Sequence, residues 1–337
     1  MGTKMGGKKR YGPYTPITSQ VSLYDERKEI TSATYEDRFE QMATEKLSRV
    51  QPNRAELRDI NNFGDEVQNA IRQKLSIKER HMFGSSVKNT MVYSSHKKDA
   101  DILIVLDLER HGKWLNQDVG SSNAQKALKE SLTSNPKYAG ANIYIDGSAV
   151  VVEQGGKSVD LVLSFRNPNG RGFLIPEGRN GATWIRTDPR TSKRILDIVD
   201  KKHYGQVRPL IQLAKDWNER HGRKLKSYHV EAMVVQHFMN NEPNKRSSLH
   251  SNVDKFFHNF PEYISSSQIK DPATDENLGS YLSRQTKDEV IKESLKTRKY
   301  VDQARSANEE FDAEKSLYYY RRVLYDNLGE TNDKFER

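Results

Sequence analysis

Asp99-Ala100-Asp101-Ile102-Leu103-Ile104-Val105-Leu106 reads as a β-strand from its β-branched run, with two carboxylates at its start. Residues two apart on a strand share a face, so Asp99 and Asp101 are expected to project together. Upstream, Phe83-Gly84-Ser85-Ser86 precedes Val87, Thr90 and Met91, which reads as a tight glycine turn opening a helix. Glycine lets the backbone approach a phosphate closely, and the free amides of a helix start, with a serine hydroxyl, add donors. Downstream, Ser158-Val159-Asp160-Leu161-Val162-Leu163-Ser164-Phe165 is a second apolar strand. Asp160 interrupts it where an unpaired charge is costly to bury. If the two strands pair, three carboxylates converge. Such a cluster suits Mg²⁺, which takes hard oxygen ligands in near-octahedral geometry and shares them with a substrate's phosphates. The competing reading of Asp99 and Asp101 is a solvated strand end beside Lys97 and Lys98.

The remaining chain builds a mixed α/β unit around these strands. Ser32 to Lys78 carries apolar residues at helical spacing, broken near Pro52, where Asn53 can cap a second helix. In that helix Leu57, Ile60, Phe63, Val67, Ile71 and Leu75 form an amphipathic stripe facing a core. Asn142 to Ile145 and Ala149 to Glu153 read as strands, Gln154-Gly155-Gly156-Lys157 as a turn, and Ala124 to Leu132 as a short helix. From Ser192 the pattern is helical almost to the last residue. The expected division is a tail at 1–31, an α/β core at 32–191 and a helical lobe at 192–337.

The 337 residues, 34% hydrophobic, suffice for a sizeable core. With 55 Lys and Arg against 46 Asp and Glu, the formal charge of +9 favours anionic partners, although plain solubility explains it equally well. The absence of cysteine excludes disulfides, thiolate nucleophiles and Cys-ligated zinc. The longest apolar run, Ile102 to Leu106, is too short to span a bilayer, and Met1 to Arg10 lacks an apolar signal core. A cytoplasmic protein is expected. Gly-Gly-Lys-Lys-Arg and Tyr-Gly-Pro-Tyr-Thr-Pro give residues 1–31 little to bury, so a mobile tail or partner-binding arm is expected there.

The ordered signature of Gly84-Ser85, Asp99-x-Asp101 on a strand and Asp160 on a later strand resembles the nucleotidyltransferase superfamily of the DNA polymerase β type. Further on come Phe173-Leu174-Ile175-Pro176-Glu177-Gly178, Gly181 to Pro189 with Trp184, Leu213-Ala214-Lys215-Asp216-Trp217-Asn218, Leu225 to Glu231, and Lys270-Asp271-Pro272 with Asn277-Leu278. Together these resemble the CD-NTases, the bacterial cyclic GMP-AMP synthase-like nucleotidyltransferases, over roughly residues 40 to 305.

The resemblance implies an α+β fold in two lobes: a polymerase-β-like core with a mixed sheet and flanking helices, and a helical second lobe. It implies that Gly84 and Ser85 hold a donor triphosphate and that Asp99, Asp101 and Asp160 bind two Mg²⁺ or Mn²⁺ ions, Asp160 also helping to activate the attacking hydroxyl. Lys215 and Ser227 match a lysine and a serine that contact the triphosphate from the second lobe. Tyr228 matches an aromatic that stacks on the donor base, and Arg186 is a looser match to an arginine near the acceptor base.

The implied activity is template-independent synthesis of a cyclic di- or trinucleotide as an anti-phage alarm signal. Its implied partners are nucleoside triphosphates such as ATP and GTP, an effector reached through the product, and a regulatory protein. Neither a membrane nor a nucleic acid is required. Two other functions fit parts of the pattern: a nucleotidyltransferase that extends RNA or tRNA, which suits the basic charge, and a nucleotide or RNA sensor, which has no use for the carboxylates.

By spacing alone several residues read differently. Lys215, in a helix with Leu210, Leu213 and Trp217, reads as a surface lysine, and Tyr228 as a core residue. Trp184 and Trp217 read as packing residues. His203, His221, His229 and His237 show no paired spacing and are assigned to no metal. Tyr318-Tyr319-Tyr320 before Arg321-Arg322 could stack on nucleic acid, but a terminal helix packing its tyrosines on the lobe is the preferred reading.

Overall fold

The computed structural model describes residues 35–325, except 73, 93–98, 178–182, 246, 267–268 and the side chain of Asp99. The expected tail at 1–31 lies outside the described residues, as do Lys97, Lys98, Gly181 and Ala182. Helix α1 covers residues 35–50 and α2 covers Arg54–Ile71. Asn53 caps α2 as expected: its side chain accepts from Glu56 N at 2.9 Å while Glu56 Oε2 accepts from Asn53 N at 3.2 Å.

A mixed sheet follows, in the order β1 (Ile77–Phe83), β2 (Asp99–Leu106), β5 (Lys157–Arg166), β4 (Ala149–Gln154), β3 (Asn142–Asp146). Strands β6 (Phe173–Pro176) and β7 (Trp184–Thr187) extend it beyond the far end of β5. Among the described strands only β2 and β5 run parallel; the other pairings are antiparallel. Between strands lie α3 (Gly84–Lys88), α4 (Leu108–His111) and α5 (Gly120–Thr133).

Strand alternation gives this sheet two unlike faces. One carries Ala100, Ile102, Ile104, Val159, Leu161 and Leu163, all buried with Phe63, Val67 and Ile71 of α2 and Leu128 of α5. A Cβ on Gly64 would lie 2.7 Å from Ile102 Cδ1, so glycine lets α2 lie close on the sheet. The other face has a smaller apolar cluster of Leu103, Val105, Val151, Val162 and Phe173. By the same alternation Asp101 and Asp160 belong to this second face.

From Pro189 the described chain is almost wholly helical: α6 (Pro189–Lys202), α7 (Val207–Arg220), α8 (Ser227–Met239), α9 (Leu249–His258), α10 (Phe260–Ser265), α11 (Arg284–Glu309) and α12 (Ala313–Tyr325). These helices share one core, to which α1 contributes Tyr35, Phe39, Met42 and Leu47. Trp217 is buried there, and Tyr318, Tyr319 and Tyr320 are buried on α12, in keeping with the packing readings. Trp184 is half-buried, edge-on to Phe165, with its indole N–H donating to Trp114 O at 3.0 Å. Among the described residues no helix is long and apolar enough to cross a membrane.

Two expectations need correction. The helical reading carried to Lys78 runs into strand β1, an edge strand whose charged side chains hide the strand period. The helix opened by Gly84 stops at Lys88, because Asn89 turns left-handed (φ 55°).

Candidate active site

Parallel pairing sets Asp101 directly opposite Asp160, and antiparallel pairing sets Phe83 opposite Asp101. The chain leaving β1 therefore turns at Gly84 beside the Asp101 carboxylate. Gly84 has φ +76°, and a Cβ there would lie 1.9 Å from Asp101 Oδ2. Glycine is needed both for the backbone angle and for the space. Asp101 and Asp160 are half-buried, and Asp160 Oδ1 is shielded from solvent. Asp99 occupies the β2 position opposite Ser158, two residues before Asp101, with its side chain outside the described residues.

Side chains opposite one another on paired strands lie about 5 Å apart. At an effective dielectric of about 20, two such carboxylates repel by about 3 kcal/mol. A divalent cation between them turns that repulsion into attraction. The donor set, hard oxygens packed against a glycine turn whose missing Cβ makes room for the Asp101 carboxylate, fits Mg²⁺ or Mn²⁺. Among the described residues no group of three acidic or histidine side chains forms a complete metal cluster. Ser85 is half-buried in the first turn of α3, and Ser86 Oγ is buried with no hydrogen-bond partner among the described residues.

The segment leaving α3 enters the helical half of the molecule. Lys88 O accepts from Arg208 Nε at 2.8 Å, and Met91 O accepts from Gln212 Nε2 at 3.2 Å, both donors on α7. Arg208 is itself held by Asp197 and Asp200 of α6. Lys215, one turn beyond Gln212, is only 3% exposed, so it is not the surface lysine that its spacing suggests. Its Nζ donates to Thr90 O at 3.2 Å, Thr90 Oγ1 at 3.1 Å and Glu231 Oε2 at 3.4 Å. Glu231 Oε1 accepts from Lys88 Nζ at 2.5 Å, and Thr90 Oγ1 donates to Glu231 Oε2 at 3.0 Å.

Burial pushes the Lys215 ammonium below its ordinary value; Glu231 opposes that shift, Lys88 adds to it, and Asp101 opposes it more weakly. Burial alone raises the Glu231 carboxyl, and the two lysines more than offset it, leaving it below the usual carboxylate range. The cluster thus sets the Glu231 carboxyl between two lysine side chains, with Asp101 of the sheet within electrostatic reach of Lys215.

Ser227 is the first residue of α8, half-buried, and the helix start has no side-chain cap. Tyr228 is 46% exposed rather than core, because it points away from the buried face that His229, Val230 and Glu231 present. Tyr281 braces this turn: its hydroxyl accepts from Lys226 N at 2.8 Å and lies 3.0 Å from His229 Nδ1. Arg186 lies on β7 and is exposed. The structure therefore joins Gly84, Asp101 and Asp160 into one constellation. Lys215 connects to it through Thr90, and Ser227 through the helix that carries Glu231.

Sequence reasoning assigned no role to Lys88, Thr90 or Glu231. One signal was present: Glu231 breaks the apolar run Val230-x-Ala232-Met233-Val234-Val235, as Asp160 breaks β5.

Residues 34–197 match the family model of the Second Messenger Oligonucleotide or Dinucleotide Synthetase domain. A probable cyclic nucleotide synthase of Bacillus cereus strain VD146 is 30% identical over 142 residues, which are 40% of this chain and 42% of that protein. The CBASS oligonucleotide cyclase CdnC of Escherichia coli strain KTE188 is 25% identical over 206 residues, 60% of this chain and 62% of that protein. Both alignments span less than two thirds of the relatives' length. The structure of CdnC from E. coli MS115-1 with ATP superposes with a TM-score of 0.62 at 15% identity, covering 84% of this chain and 96% of that one. At that identity the likeness establishes the fold, with its mixed sheet and helical second lobe.

Proposed function

We propose that this chain, which carries a Second Messenger Oligonucleotide or Dinucleotide Synthetase domain match over residues 34–197, is a member of the CD-NTase family of bacterial cyclic GMP-AMP synthase-like nucleotidyltransferases and a template-independent nucleotidyltransferase. It joins nucleoside triphosphates into a cyclic di- or trinucleotide, releases pyrophosphate and thereby sends an anti-phage alarm to a separate effector protein. The observation that carries this reading is the in-register pair Asp101 and Asp160, with the Gly84 turn packed against the Asp101 carboxylate. In this reading residues 32–191 are the catalytic unit and residues 192–337 the helical lobe on the other side of the nucleotide.

Asp101 and Asp160, with Asp99, would hold two Mg²⁺ or Mn²⁺ ions. Such ions, when bound, lower the pKa of the attacking hydroxyl and stabilise charge on the departing pyrophosphate. Gly84 admits a phosphate against the backbone, and Ser85 donates its hydroxyl. Ser227 and the uncapped amides at the start of α8 donate from the opposite side. Lys215 supplies positive charge from behind Thr90; a phosphate oxygen reaches its ammonium by displacing Thr90 while Glu231 keeps its place. The exposed ring of Tyr228 stacks on the donor base, an interaction worth about 1–3 kcal/mol. Asp160 accepts the proton of the attacking ribose hydroxyl. A linear intermediate then turns over in the same site and closes.

The test is to incubate the purified protein with all four ribonucleoside triphosphates and Mg²⁺ or Mn²⁺, treat with phosphatase and examine the small molecules by mass spectrometry. A phosphatase-resistant cyclic product, absent with Asp101→Asn, is expected. Transfer of label onto added RNA instead of into a small product would replace this reading with polymer extension.

A further inference from the structure

A single carboxylate stands where both halves of the proposed triphosphate grip meet. Glu231 is 6% exposed and lies one helical turn after Ser227 on α8. Its Oε1 receives Lys88, the last residue of the short helix that Gly84 and Ser85 open, and its Oε2 receives Thr90 and Lys215. Lys88 Nζ reaches on to Ser192 Oγ of α6 at 2.8 Å. The segment leaving the phosphate turn and the helices α6, α7 and α8 are thus pinned through one pair of oxygens.

Stability alone does not call for this arrangement. Val230, Ala232, Met233, Val234 and Val235 around Glu231 are all buried, and a well-packed apolar residue commonly serves such a site as well as an ion pair or better. What an ion cluster adds is direction. Charge-assisted hydrogen bonds fix donor and acceptor more tightly than apolar contact does. Removing the carboxylate charge leaves two ammonium groups facing one another in a dry site, and each relaxes away from the other.

We infer that Glu231 is a positioning residue: it fixes Lys215 and the α8 start carrying Ser227 in register with the Gly84-Ser85 turn, so that both sides grip one triphosphate. Glu231 acts through these groups and does not itself touch the nucleotide. The inference rests on the triphosphate-binding reading above.

The experiment compares wild type, Glu231→Gln and Lys88→Met by thermal melting, steady-state kinetics with nucleoside triphosphates, and calorimetric binding of Mg²⁺-tripolyphosphate as a base-free probe. In Glu231→Gln the KM for nucleoside triphosphate is expected to rise about tenfold, with an equal loss of tripolyphosphate affinity, while the protein still melts cooperatively. Lys88→Met keeps the Glu231–Lys215 pair and releases only the turn, so its loss is expected in the same direction but smaller, about threefold. A folded Glu231→Gln protein with wild-type KM and wild-type tripolyphosphate affinity would overturn the inference. If Glu231→Gln does not fold, Lys88→Met decides: unchanged affinity, or failure of this variant to fold as well, makes the cluster a stability element and overturns the positioning role. Failure of the wild-type chain to bind tripolyphosphate would sink the underlying reading, and would be seen before any variant is compared.

Discussion

The sheet side of the site and its helical side hold their charges by different means. On the sheet, Asp101 and Asp160 stand opposite one another because β2 and β5 pair in parallel, and strand alternation sends both to the face away from α2 and α5. On the helical side, Lys88, Lys215 and Glu231 come from α3, α7 and α8 and meet only through tertiary packing. The two sheet carboxylates are like charges set side by side, a placement that a bound cation stabilises. The helical cluster already carries both signs. One side is arranged to receive metal and phosphate, and the other to hold its shape.

That contrast fixes the order of expected effects. The largest falls on the sheet: Asp101→Asn or Asp160→Asn removes a charge that a metal ion needs, at a cost of about 4 kcal/mol in transition-state stabilisation, about a thousandfold in rate. Product formation under saturating triphosphate measures it, and a loss of less than tenfold in both variants would place the chemistry elsewhere. Gly84→Ala comes next, since a methyl group meets Asp101 Oδ2 and the left-handed backbone angle costs an alanine about 1–2 kcal/mol. It should lose about a hundredfold in activity through displacement of the carboxylate and should also melt earlier. Wild-type rates in that variant would show that the turn does not approach the substrate.

On the helical side the expected effects are smaller and fall on binding. Tyr228→Ala should raise the KM for nucleoside triphosphate by about tenfold through lost stacking, with Tyr228→Phe near wild type. Equal behaviour of the two variants would remove the ring from the base site. The smallest effect is one of pH. His229, His237 and His250 are buried, and burial pushes each imidazole down to about 4 from an ordinary 6.5. The unfolded chain therefore binds these protons more readily than the folded one, so their contribution to stability is present above pH 6.5 and is lost as pH falls through 6.5 towards 4. Denaturant midpoints between pH 7 and pH 4.5 should fall, and should fall less in His237→Gln. A flat midpoint across that range would contradict the buried neutral state.

The same contrast explains what the sequence could show. Asp99-x-Asp101 and Asp160 were readable because a strand has a period of two and its apolar run advertises the interruption. Strand β1 was not: its single neighbour among the described strands is β2, and its edge carries Lys78, Glu79 and Arg80, whose partners Asp107, Arg166 and Asp65 lie outside the strand. Lys215 and Tyr228 are the clearest reversals. Helix α7 is buried around its whole girth from Leu210 to Asn218, so a lysine that looks peripheral on a helical wheel lies inside. Tyr228, in the first turn of α8, lies off the buried face of that helix and stays 46% exposed. Helical periodicity tells which residues share a face, but not how many faces of the helix are covered.

The most direct test of the central claim is a crystal structure with a non-hydrolysable nucleoside triphosphate and Mn²⁺, located by anomalous scattering. The expected result is manganese bound by Asp101 and Asp160, the triphosphate against Gly84 and Ser85, and the base on Tyr228. Manganese or triphosphate bound away from this constellation, with the Asp101 and Asp160 carboxylates untouched, would contradict it.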